Sequence, residues 1–146
     1  MPDNYYDSKK STEIKLLKLY TELNIVALKI IDLHEHISDA IDTSDGAKLE
    51  NYSLIEKELV NKLVNIKQVI AGFESNCSIS SVQLENQRAQ ALAMQKLIVV
   101  RGNRNRNTLK ISLKKISSQI DLFSQKILYS ASFSRQTAPR FVDLSI

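Results

Sequence analysis

A chain of 146 residues with three Gly, two Pro, no Trp and one Cys fits one domain and has too few turn-formers for a sheet protein. The lone Cys77 excludes an intramolecular disulfide framework and a cysteine zinc cluster. Net charge is +4, but residues 1–82 carry 9 Lys/Arg against 13 Asp/Glu and residues 83–146 carry 11 against 3.

Such a split fits a nucleic-acid face or a bundle whose acidic helices lie beside a basic one. The bundle reading leads, because the basic residues are dispersed and few aromatics stand among them to stack on bases. The first ten residues are polar, so no secretory signal is expected in them. The longest apolar runs, 25–28 and 97–100 among them, hold four residues each, far short of the roughly 20 that span a bilayer. A cytoplasmic location without membrane insertion is therefore expected.

A first helix is expected over residues 11–41. Leu16, Leu19, Leu23, Val26, Ile30, Leu33, Ile37 and Ala40 follow alternating 3- and 4-residue steps, the signature of a heptad seam. Leu17, Leu28 and Ile31 widen that stripe, so the helix should pack against two neighbours. Asp42 to Gly46 ends it, with Gly46 expected to supply the left-handed turn.

A second helix is expected over 47–73. Leu59, Leu63, Ile66, Ile70 and Phe73 keep the heptad steps, extended upstream by Tyr52 and Ile55. Ser53 and Glu56 match a capping box, and Glu58 and Lys62 are spaced as a helical ion pair. A Ser-rich connection follows at 74–80.

Ser80 and Gln83 form another capping box and open a third helix, expected over 81–129. Leu84, Ala91, Met94 and Ile98 make its first half; Leu109, Leu113, Ile116, Ile120, Phe123 and Ile127 make its second. Between them, 101–107 hold no apolar residue, yet no Pro interrupts, and a continuous helix with a polar belt is the preferred reading. The belt either binds phosphate through Arg101, Arg104 and Arg106 or, as the preferred reading, pairs with acids on the first two helices.

The fold class expected is thus all-α: three long antiparallel amphipathic helices in a bundle over residues 1–131. Residues 132–146, with Pro139 and spaced apolar anchors, are expected to form a flexible tail that orders on a partner.

No constellation points to catalysis. His34 and His36 lie two residues apart and so point to opposite sides of a helix, whereas metal pairs need three- or four-residue spacing. Both are read as solvated surface residues. There is no phosphate-binding glycine loop and no nucleophile elbow. The chain is expected to be no enzyme and to hold no cofactor and no metal.

The chain resembles the FlgN family of flagellar export chaperones. Asn103, Asn107 and Leu109 lie close to the Asn and Leu pattern of that family's third helix, with Arg106 standing where a second family Asn falls. Tyr129 matches a Tyr-x-x-x-Gly element whose last position here is Phe133, and the ending from Arg140 to Ile146 is similar to apolar-Asp endings of some members.

The resemblance implies a cytosolic export chaperone. It would bind the hook–filament junction proteins FlgK and FlgL and deliver them to the export gate protein FlhA. Client and gate contacts are then expected at Leu113, Ile116, Ile120, Phe123, Ile127, Tyr129, Phe133 and Phe141. A coiled coil associated with nucleic acid through the basic half, and a structural coiled-coil scaffold, are the alternatives that the residues leave open.

Overall fold

A computed structural model of the chain describes residues 3–76 and 78–137, with side chains described up to residue 131. The regular elements among them are three helices: α1 (Asp3–Asp42), α2 (Gly46–Asn76) and α3 (Val82–Thr137). The all-α fold read from periodicity is the fold observed. α3 continues unbroken through 101–107, as the absence of Pro suggests. α1 begins eight residues before the expected start at 11, and α3 runs on to Thr137 rather than ending at 129.

Two compact units are present, residues 1–106 and 107–146. In the first, α2 returns antiparallel to α1: Tyr20 meets Glu74, and His34 meets Glu56. The N-terminal part of α3 runs in the same direction as α1, since Asn24 reaches Gln87 and Glu35 reaches Arg101.

α1 is the most deeply buried helix. Leu16, Leu23, Val26, Ala27 and Ile30 are almost wholly shielded, and the buried set continues through Ile37 to Ile41. α2 contributes Leu63, Ile66 and Ile70, the connection contributes Ile79, and α3 contributes Leu84 and Ala91. Leu19, Leu59, Phe73, Met94 and Ile98 pack around them. The wide stripe of α1 serves two neighbours, as expected. Its flank is only partly used: Ile31 is buried, but Leu28 is exposed.

The turn between α1 and α2 differs from its sequence reading. Ser44, not Gly46, takes the left-handed conformation, with φ of 55°. Two backbone bonds close the helix end: Asp45 N–H donates to Ala40 O at 2.9 Å, and Ser44 N–H donates to Ile41 O at 3.1 Å. That pair of bonds is the Schellman arrangement, and it places the left-handed residue two before Gly46.

Asp45 then caps α2, its Oδ1 accepting from Lys48 N–H at 3.1 Å. Ser53 is consequently internal to α2, not a cap. The cap of α3 is Ser81, one residue after the expected Ser80; its Oγ accepts from Leu84 N–H at 3.2 Å. Lys62, spaced to pair with Glu58, reaches Glu22 of α1 at 4.0 Å.

Candidate partner-binding helix

α3 carries an apolar stripe in each unit. At 100° per residue, Leu84, Ala91, Ile98, Gly102 and Asn105 of the first unit fall within an arc of about 60°, and Leu109, Leu113, Ile116, Ile120, Phe123 and Ile127 of the second within about 80°. Up to Asn105 the stripe is largely shielded: Leu84, Ala91, Gly102 and Asn105 are buried, and Ile98 is half-buried.

The unit from residue 107 onwards is different. Leu109 is half-buried, but Leu113, Ile116, Ile120, Phe123 and Ile127 are 45% to 65% exposed. Tyr129 is 74% exposed. Ile111, Leu122 and Leu128, off the stripe, are exposed as well. The heptad register from 109 to 127 is unbroken: Leu109, Ile116 and Phe123 take one core position and Leu113, Ile120 and Ile127 the other. A register kept over six positions, the last five of them exposed, is a surface able to receive a helix.

Six of the eight residues expected at the client and gate contacts therefore lie along one exposed helical segment. Phe133 falls within α3, with nothing described of its side chain, and Phe141 lies outside the described residues. So does most of the expected tail; residues 132–137 belong to α3.

The polar residues of the first unit hold its helices together. Arg101 Nη1 donates to Glu35 Oε1 at 2.8 Å. This is the ion pairing with an α1 acid that the interhelical reading of the belt anticipated. Asn105, the polar interruption of the stripe, is buried and donates from Nδ2 to His34 O at 2.8 Å. Its place on an apolar face was the signal for such a role: a buried amide is kept only where its hydrogen bonds are made.

His34 corrects the sequence reading. It is buried, not solvated, and its Nε2 donates to Glu56 Oε1 at 2.8 Å. Its Nδ1 is buried without a hydrogen-bond partner. His36 is exposed, with its ring centroid 5.9 Å from that of Tyr52. The two imidazoles do point apart, and among the described residues no group of three His, Cys, Asp or Glu is placed to hold a metal. Cys77 lies outside the described residues.

A second polar knot joins all three helices near the α2–α3 connection. Tyr20 Oη donates to Glu74 Oε1 at 2.7 Å, and Arg88 Nε donates to the same oxygen at 2.9 Å. Arg88 also reaches Ile79 O and Glu85. Burial, followed by the bond to Glu74, pushes the Tyr20 hydroxyl above its ordinary value. Burial opposes the Arg88 charge, but its hydrogen bonds to Glu74, Tyr20 and Glu85 overcome it and hold the guanidinium above its ordinary value.

No described helix is long and apolar enough to cross a membrane. No protein-family model, curated protein or solved structure matches the chain.

Proposed function

We propose that the protein holds another protein by taking one of its amphipathic helices against the exposed stripe of α3, and that it does so as an export chaperone of the FlgN type. The observation that carries the first part is the exposure of the heptad positions from Leu113 to Ile127. The export role rests on the sequence resemblance at Asn103, Asn107, Leu109 and Tyr129.

Magnitudes suit a reversible contact. Covering six large apolar side chains contributes on the order of 10 kcal/mol, and association itself costs at least several kcal/mol. The difference, about 6 kcal/mol or less, corresponds to affinities of tens of micromolar or weaker, a contact that forms and releases readily. FlgK- and FlgL-type junction proteins would be the clients and FlhA the acceptor.

Titration of the full chain with FlgK and FlgL from the same cell tests the export role. Saturable binding, lost on Ile120→Asp, is the expected result. If neither protein binds, the export reading is wrong. Steeply salt-dependent binding to DNA or RNA would instead transfer the function to the basic half.

A further inference from the structure

The charges beside the exposed stripe say what kind of helix it takes. Over the segment of α3 from 107 to 131, the ionisable residues outside the tyrosine are Lys110, Lys114, Lys115, Asp121 and Lys126. Among the described residues, none of the four lysines is in an ion pair with a carboxylate. Three of them crowd the N-terminal half of the stripe, at 110–115. Asp121 and Lys126 offset each other in the C-terminal half.

In the heptad register, Lys110 and Lys126 flank the core positions directly, and Lys114 and Lys115 sit one step further out. Lysine stems lie along the edges of an apolar seam and carry their ammonium groups to the partner's flanks. The remaining flanking positions, Ser112, Ser117, Gln119 and Ser124, are neutral. They neither attract nor repel a charged partner.

Resting on the helix-holding reading above, we infer that the occupant of this face is an amphipathic helix of another protein whose flanks are acidic, with its acidic end against residues 110–115. A second copy of this chain is a poor occupant. It would bring the same lysine-rich segment, with the same uncompensated charge, against its mate, and like charges at close range oppose pairing. An acidic helix satisfies the lysines and the seam together. The uneven placement of the charge also sets the direction in which that helix lies.

The experiment uses the full chain and two fluorescent peptides of about 21 residues, three heptads each. Both carry one Leu/Ile seam; one is flanked by Glu and the other by Lys. Anisotropy titrations at about 50 mM and about 500 mM NaCl should show the Glu-flanked peptide binding roughly tenfold tighter at low salt. That preference should shrink at high salt, where screening is strong. The double substitution Lys114→Glu, Lys115→Glu lies on the helix surface and should reverse the preference.

Equal binding of both peptides would overturn the charge inference while leaving the helix-holding reading standing. Failure of both to bind at either salt would overturn the two together. A dimer seen in sedimentation, and dissociated by Ile120→Asp, would give the face to a second copy and overturn the inference.

Discussion

His34 Nε2 lies 2.8 Å from Glu56 Oε1 and ties the C-terminal half of α1 to α2. The His34 side chain is 2% exposed, while that of Glu56 is 31% exposed. Among the described residues, Glu56 is thus the one hydrogen-bond partner of an imidazole that is otherwise shut away, since Nδ1 has none. Removing the acceptor leaves a buried ring with neither nitrogen satisfied. Glu56→Ala should cost about 1–3 kcal/mol, whereas Glu56→Gln keeps an acceptor oxygen and should cost less. Urea unfolding followed by circular dichroism checks this. Equal midpoints for the two variants would show that the hydrogen bond contributes nothing.

Tyr20 predicts a pH dependence. Its hydroxyl is held above its ordinary value of 10.0 by burial and by the bond to Glu74. A raised value in the fold means that the unfolded chain gives up this proton first. The stabilisation is complete below pH 10 and is lost as pH rises through the folded value. Tyr20→Phe deletes the bond and should cost about 1–2 kcal/mol at neutral pH. The gap in melting temperature between the two proteins should narrow above pH 10. A gap that stays constant up to pH 11 would contradict the assignment.

Two glycine exchanges should stabilise the bundle in opposite directions of substitution. Ser44 occupies the left-handed region at φ 55°, a conformation that costs an L-residue and costs glycine little. Ser44→Gly should therefore gain about 0.5–1 kcal/mol. Gly72 lies inside α2 with open space where a Cβ would stand. Gly72→Ala should gain about 1 kcal/mol from helix propensity. Thermal melts decide both. A loss at position 44 would mean that the Ser44 side chain has a role beyond its backbone conformation.

The core of α1 was legible because Leu23, Val26 and Ile30 keep strict heptad steps, and a period of that kind survives any detail of packing. Tyr20, Asn24 and His34 were not legible as buried residues. They lie beside the heptad positions on a face widened by contact with two helices, and period alone does not mark how far burial spreads around a helix. Glu56 was misread for a related reason. Ser-x-x-Glu is a local pattern, whereas the residue that claims Glu56 is His34, on another helix. Asn105 could have been found, since a lone amide on an otherwise apolar stripe must be satisfied somewhere. Whether the stripe beyond Leu109 is covered could not be read at all: the spacing from 109 to 127 is the same for a buried seam and for an open one.

That identity of spacing allows a decisive pair of substitutions on one helix. Leu84 and Phe123 both take apolar stripe positions of α3, but Leu84 is 0% exposed and Phe123 is 65% exposed. Leu84→Ala empties part of the core and should cost about 2–5 kcal/mol. Phe123→Ala removes a larger side chain yet should change stability by less than about 0.5 kcal/mol, because little of its surface is withdrawn from water. In binding the order should reverse. Phe123→Ala should weaken capture of a Glu-flanked helix at least roughly tenfold, the loss of one large aromatic anchor being worth about 1.4 kcal/mol or more. Leu84→Ala, measured well below its melting temperature, should bind as the parent does. Chemical unfolding and anisotropy titration on the two variants supply all four values. If Phe123→Ala melts several kcal/mol below the parent, the distal stripe is core and the partner-binding assignment of α3 is wrong. If it melts normally and still binds normally, the stripe is open but is not where the partner lies.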